Sequence, residues 1–259
     1  MNPGTAIPLL GRQFRALRAS WATWALAAIA LLFAATSPVT ARYLPEILGG
    51  LVGGGSGGTP LPIDVSALPD PTPADAWAQW SSNLSQIVIV IVAIVAASAI
   101  SADVARGTAI PLLARPITRT GLWATAFAAV TAVVAAVTVI STAAMVAVAA
   151  LLFDDLASPD IRLIAGGTAL WLLFAVSAIA VTMAASGAGA SSLGAAAAGI
   201  AYFGLMAVAG IWPPMKEWSP AGLLAAADGT AEPGAIIVTI AVAAAAIVVG
   251  MAAFNRREL

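Results

Sequence analysis

Five stretches of this 259-residue sequence contain no Asp, Glu, Lys or Arg: residues 19–41, 76–102, 120–153, 163–215 and 233–255. A helix needs about 20 apolar residues to cross the roughly 30 Å hydrocarbon core of a bilayer, and each stretch is long enough. At 53 residues, 163–215 is too long for one crossing. It carries the small, polar run Ser186, Gly187, Ala188, Gly189, Ala190, Ser191, Ser192 near its middle, which predicts two helices joined by a tight turn. The 34-residue stretch 120–153 has no Gly or Pro after Leu122 and reads as one long helix. With 9% charged residues the chain falls far below the quarter usual for a soluble domain. The expected fold is all-α: a single polytopic transmembrane domain with six transmembrane helices.

An even number of spans puts both termini on one side, and arginine placement says which. With the N-terminus in the cytoplasm, Arg12, Arg15, Arg18, Arg106, Arg115, Arg119, Arg256 and Arg257 lie inside, against Arg42, Arg162 and Lys216 outside, as the positive-inside rule requires. Of the acids only Asp103 and Glu258 fall inside. Splitting 120–153 would break the parity and move Arg256 and Arg257 outside.

The expected layout is a cytoplasmic interfacial helix at 1–18, spans at 19–37, 84–102, 121–153, 163–185, 193–211 and 234–254, and a tail at 255–259. A cytoplasmic loop occupies 103–120 and a cytoplasmic turn 186–192. External loops fall at 38–83, 154–162 and 212–233. The first is rich in Gly and Pro. It closes on Thr72, Pro73, Ala74, Asp75, a capping signature for a short surface helix carrying Trp77 and Trp80. In the last loop Ser219 and Pro220 announce one or two turns over 221–227. Short interfacial or re-entrant helices are thus expected before spans 2 and 6. Trp21, Trp24 and Trp123 fall near the inner boundary, and Trp77, Trp80, Trp212 and Trp218 near the outer one. Trp171 falls inside a span, where we read it as a packing residue. The basic, apolar N-terminus also resembles a signal peptide, but its apolar run is too long for one, so we expect an uncleaved first helix.

Charges and histidine are missing from every span interior, and the chain has no Cys or His at all. That removes thiolate chemistry, histidine acid/base catalysis and the ionisable midplane groups on which gradient-driven carriers depend. A phosphate-cradling loop is also absent, and no metal site is expected. The chain is therefore expected not to be an enzyme by itself, and any active transport would need a separate ATP-hydrolysing subunit.

The cytoplasmic loop reads Asp103, Val104, Ala105, Arg106, Gly107, Thr108, Ala109, Ile110, Pro111, Leu112, Leu113, Ala114, Arg115, Pro116, Ile117, Thr118, Arg119. It resembles the "acid, basic, G-T-L-x-x-L-L, small, x-P-V-[ST]-R" stretch of ABC type 2 export permeases. In that family the stretch lies between the second and third spans and docks on the ATPase subunit. The chain end, Phe254 to Leu259, is similar to the family's ending, and Ser219 and Pro220 precede its external helical segment. The resemblance implies docking through Asp103, Arg106, Gly107, Thr108, Leu112, Leu113, Arg115, Pro116 and Arg119, beside Arg12, Arg15 and Arg18 on the inner-surface helix. It implies an ABC ATPase as partner, holding the ATP and Mg, and a second permease copy or paralogue. It also implies a bacterial plasma membrane and no nucleic acid. Pro111 and Trp123 depart from the family pattern, which commonly has a polar or acidic residue and a Lys there. Two other readings remain: a non-transporting anchor or sensor partner of an ATPase, and a secondary carrier. The substrate and its contacts are unassigned. The string Gly-Thr-Ala-Ile-Pro-Leu-Leu occurs at both 4–10 and 107–113, and periodicity gives no account of the identity.

Overall fold

In hydrocarbon an unpaired peptide group costs several kcal/mol, so apolar stretches resolve into helices that satisfy their own backbone. The computed structural model describes residues 3–54, 70–105, 118–153, 160–224 and 228–257. Every regular element among them is helical: α1 (Pro3–Arg18), α2 (Trp21–Gly54), α3 (Pro73–Asn83), α4 (Ile89–Ala105), α5 (Arg119–Leu152), α6 (Ile161–Gly187), α7 (Ser192–Ala209), α8 (Pro213–Trp218), α9 (Ala221–Leu224) and α10 (Pro233–Arg256). Among the described residues six helices are long and apolar enough to cross a membrane: Trp21–Ile47, Pro73–Ser101, Arg119–Leu152, Ile161–Gly187, Ser192–Ala209 and Pro233–Arg256. The fold is all-α, as the charge-free stretches predict.

The expected loop at 38–83 needs correction, because α2 runs on to Gly54 through Pro38 and Pro45. Each proline forfeits a backbone bond. In the turn before Pro38, Thr36 and Ser37 donate to the carbonyls of Leu32 and Phe33 at 2.9 and 2.5 Å. Asn83 in turn donates to the Ser37 hydroxyl at 3.1 Å, tying this part of α2 to α3. The remaining loop residues, 55–69, lie outside the described residues.

A second correction concerns α3. It continues into α4 through a wide turn, Leu84–Val88, whose closing bond runs from the Ile89 N–H to the Leu84 carbonyl. No Gly or Pro interrupts residues 74–105, so nothing stops the rod. The start is capped as expected, with Asp75 accepting from the Thr72 N–H and hydroxyl at 2.8 Å each. Trp77 and Trp80 are buried against other helices rather than exposed on the surface. Trp80 donates to the Thr142 hydroxyl of α5 at 3.1 Å, which gives its indole N–H a partner inside the bundle. Trp123 is buried as well, whereas Trp21, Trp24, Trp212 and Trp218 are exposed.

Residues 119–152 form one unbroken helix of 34 residues, about 51 Å long at 1.5 Å per residue. The long stretch after Arg162 does fold back on itself, and Gly189 at φ 105° supplies the left-handed residue of the turn. In the last loop Ser219 accepts from the Ala221 N–H at 3.3 Å, but the turn it starts, α9, is buried through Ala221 and Leu223 rather than lying on the surface. The α8 helix was not anticipated, although Pro213 in its first turn is a recognisable start signal.

α6 sits at the centre, against α4, α5, α7 and α10, while α2 packs on α3 and α5. The α6 to α10 seam is the most extensive. A Cβ on Gly187 would sit 2.8 Å from the Gly250 carbonyl oxygen, and one on Gly250 would sit 2.7 Å from the Trp123 ring and 3.0 Å from the Ala184 Cα. Gly204 meets nothing within 4 Å. We therefore predict that Gly250→Val lowers stability in detergent by about 1–3 kcal/mol, the usual effect of overpacking. Gly204→Ala should be neutral or slightly stabilising. Thermal melts of the two purified variants check this, and equal melting temperatures would contradict the seam.

Candidate functional site

The C-terminal ends of α4, α6 and α10 meet the N-terminal ends of α5 and α7, and a chain of hydrogen bonds joins them. Ser101, in the last turns of α4, donates to the Ser186 hydroxyl at 3.1 Å and to the Ala190 carbonyl at 3.2 Å. Trp123 of α5 donates to the Met183 carbonyl of α6 at 3.3 Å and stacks on Phe127. Both contacts are buried, so each holds its helix end in a fixed position.

Two arginines complete the frame. A helix C-terminus presents carbonyls without intrahelical partners and a partial negative charge, which a guanidinium satisfies on both counts. Arg119 donates to the Asn255 carbonyl at 3.2 Å and to the Arg257 carbonyl, capping α10. Arg257 donates to the Ser186 carbonyl at 3.1 Å, capping α6. The first residue of α5 thus grips the last turn of α10, which grips the last turn of α6. Thr118 accepts from the Gly121 N–H at 3.1 Å and starts α5.

Among the residues singled out in the sequence, Arg119 falls inside this frame and Asp103 lies one turn below the end of α4. Arg106, Gly107, Thr108, Leu112, Leu113, Arg115 and Pro116 lie outside the described residues. The frame therefore fixes the two points, Ala105 and Thr118, between which that segment runs. Arg12, Arg15 and Arg18 lie on α1, which packs on α5 through a face that buries Leu9, Gln13 and Leu17. Arg15 donates to the Gly11 carbonyl of its own helix at 3.3 Å, and the Arg18 carbonyl accepts from Trp24 at 2.8 Å.

The sequence reading missed the roles of Arg257, Ser101 and Ser186. Arg257 counts there only as an inside charge, and a lone Ser in an Ala-rich helix carries no signal of its partner. It also missed a cluster deeper in the bundle, where Ser177 and Tyr202 lie 2.9 Å apart and Tyr202 stacks on Phe174. Trp171 is buried in α6 as a packing residue would be, yet its indole N–H and the Thr168 hydroxyl have no hydrogen-bond partner among the described residues.

Chemically the site is a mechanical joint. Among the described residues no three His, Cys, Asp or Glu side chains come together as metal ligands would. Its donors are serine hydroxyls, an indole and two guanidiniums that hold carbonyls. Replacing Arg257 with Ala removes the guanidinium from the Ser186 carbonyl and should speed amide exchange at 183–187, while the end of α10 keeps its Arg119 bonds to backbone carbonyls. The expected loss is about 1 kcal/mol, because the groups are only partly buried. Unchanged exchange at 183–187 would show that the α6 contact carries no weight. For the indoles, Trp80→Phe should cost about 0.5–1.5 kcal/mol through its lost bond to Thr142. Trp171→Phe, which removes an unpaired donor, should cost less, and paired melts in one detergent would separate the two.

No curated protein matches the sequence. The family described as a protein of unknown function, DUF2705, matches residues 64–259. That span takes in α3 to α10 and with them every helix end in the arginine frame, and it exceeds half of the sequence. The chain belongs to the DUF2705 family.

Proposed function

We propose that this chain is the membrane permease subunit of an ATP-driven exporter of the ABC type 2 class. The observation that carries the reading is the stretch from Asp103 to Arg119, placed between the second and third long apolar helices. In this reading both termini are cytoplasmic, and the arginine frame faces the cytoplasm of a bacterium whose plasma membrane the six helices cross. α8, with exposed Trp212 and Trp218, lies at the outer interface.

The chain supplies the path and a separate ABC ATPase supplies the work. ATP and Mg are held by that partner, and a second permease, identical or paralogous, completes the assembly. Leu112 and Leu113 enter a socket on the ATPase, with Arg106 and Arg115 around them. The arginine frame supports this assignment physically. Ala105 ends α4 and Thr118 caps α5, and the contacts of Ser101, Trp123, Arg119 and Arg257 join those helices to α6, α7 and α10. A push on the segment is therefore delivered to five of the six long helices together rather than dissipated in one.

Tagged protein extracted in mild detergent from its own host should bring down an ATPase with a phosphate-binding loop. The double substitution Leu112→Asp and Leu113→Asp should abolish that recovery at unchanged expression and melting temperature. Wild type that folds and brings down no ATPase would overturn the reading and favour a carrier working alone. An ATPase that binds without any ATP-dependent flux would favour an anchor or sensor.

A further inference from the structure

At the end of the bundle opposite the arginines, a groove of about 270 Å³ opens between the wide turn at Leu84–Val88 and the last turns of α7. Its walls are apolar, with Phe203, Met206, Ile211 and Leu224, and its rim carries Gln86 and Lys216. The helical path is locally loosened here, since the turn closes with a bond five residues long rather than four.

The backbone that carries the rim cation is closely packed. Gly222 lies directly against the Lys216 carbonyl, closer than any side chain would allow. Ser219 donates to the Met215 carbonyl at 2.5 Å, and the Gly222 N–H donates to the Ser219 carbonyl at 3.1 Å. α8 is thereby pinned over the groove by α9. The Lys216 side chain is exposed and has no carboxylate within ion-pairing distance among the described residues. Glu217, its neighbour in sequence, does not share its face of the helix.

The surface beside the groove is apolar. Leu205 and Val208 on α7 and Ile211 just beyond it are 63%, 66% and 79% exposed, and the exposed Trp212 and Trp218 stand at the two ends of α8. In a helix set apolar enough to cross a membrane, that surface meets acyl chains, and the tryptophans mark headgroup depth. The volume lies just below the roughly 300 Å³ at which pockets begin to enclose whole drug-sized molecules, so it suits part of a molecule. An apolar slot at the lipid boundary with one exposed cation at its mouth matches one class of occupant.

We propose that this groove is a selective site for an anionic phospholipid, one acyl chain lying against Phe203, Met206 and Leu224 and the phosphate meeting Lys216 and the Gln86 amide. Carboxylates outnumber cations at this end among the described residues, so bulk electrostatics do not gather anionic lipid here and any enrichment reports the groove itself. The site is independent of the ATPase reading, because it needs only the bundle and a bilayer.

The test is lipid binding to the full purified chain, followed by native mass spectrometry with phosphatidylglycerol and phosphatidylcholine as probes. Phosphatidylglycerol should be retained about fivefold or more tightly, the scale of one exposed charge pair. Lys216→Gln should erase that preference while leaving phosphatidylcholine retention unchanged. Ala207→Phe, at an exposed position on the groove wall, should weaken retention of both lipids with Lys216 intact. A photoactivatable phosphatidylglycerol should label wild-type peptides spanning 203–216 above all others. Equal retention of the two lipids by wild type, a preference that survives Lys216→Gln, or labelling spread evenly over the apolar helices would overturn the proposal.

Discussion

A peptide group inside hydrocarbon must find its hydrogen-bond partner in its own helix, and most of this structure follows from that demand. Once each long helix is self-sufficient, water no longer drives the helices together, and association falls to close packing and a few polar pairs. The chain meets that condition with small residues. Gly187 and Gly250 let α6 and α10 approach until backbone lies against backbone, and Trp123 fills the space that the glycines leave beside them. The polar pairs then act as locators, since Ser101 with Ser186, Trp80 with Thr142 and Ser177 with Tyr202 each join two helices at one register.

The helix ends follow a different rule. Their last carbonyls cannot be satisfied from within, and here two of the C-termini are closed by guanidiniums borrowed from other helices. An arginine at the start of α5 is unfavourable for that helix's own dipole and favourable for the C-terminus of α10 beside it. That trade links the ends of α5, α10 and α6 in series. It also places the chain's mechanical stiffness at the end where the segment 106–117 departs and returns.

Much of the architecture was legible because it depends on one coarse variable, the distance between charges. Arg42, Asp75, Asp103, Arg119, Arg162, Lys216, Glu232 and Arg256 bracket five long apolar stretches, and the small, polar run at 186–192 divides the longest to give the sixth helix. Helix limits were less legible. Pro38 reads as a stop in water, yet α2 passes through it and on to Gly54. Trp77 and Trp80 read as interface anchors because tryptophan usually is one, and only the position of Thr142, 62 residues further on, makes Trp80 a core residue. The frame at the arginine end was half legible. Arg119 stood out from its motif, but Arg257 acts through two backbone carbonyls, and backbone acceptors leave no mark in a sequence.

What the chain lacks shapes the functional account as much as what it has. The sequence has neither Cys nor His, and in the proposed reading the chain supplies a path and a lever while a partner supplies the energy. The central claim is that the lever is pushed at Leu113 by a nucleotide-hydrolysing protein. A photo-crosslinking amino acid placed at position 113 in the intact cell, with the adduct identified by mass spectrometry, tests it most directly. The account predicts an adduct with an ATPase bearing a phosphate-binding loop, and adducts with lipid alone would contradict it.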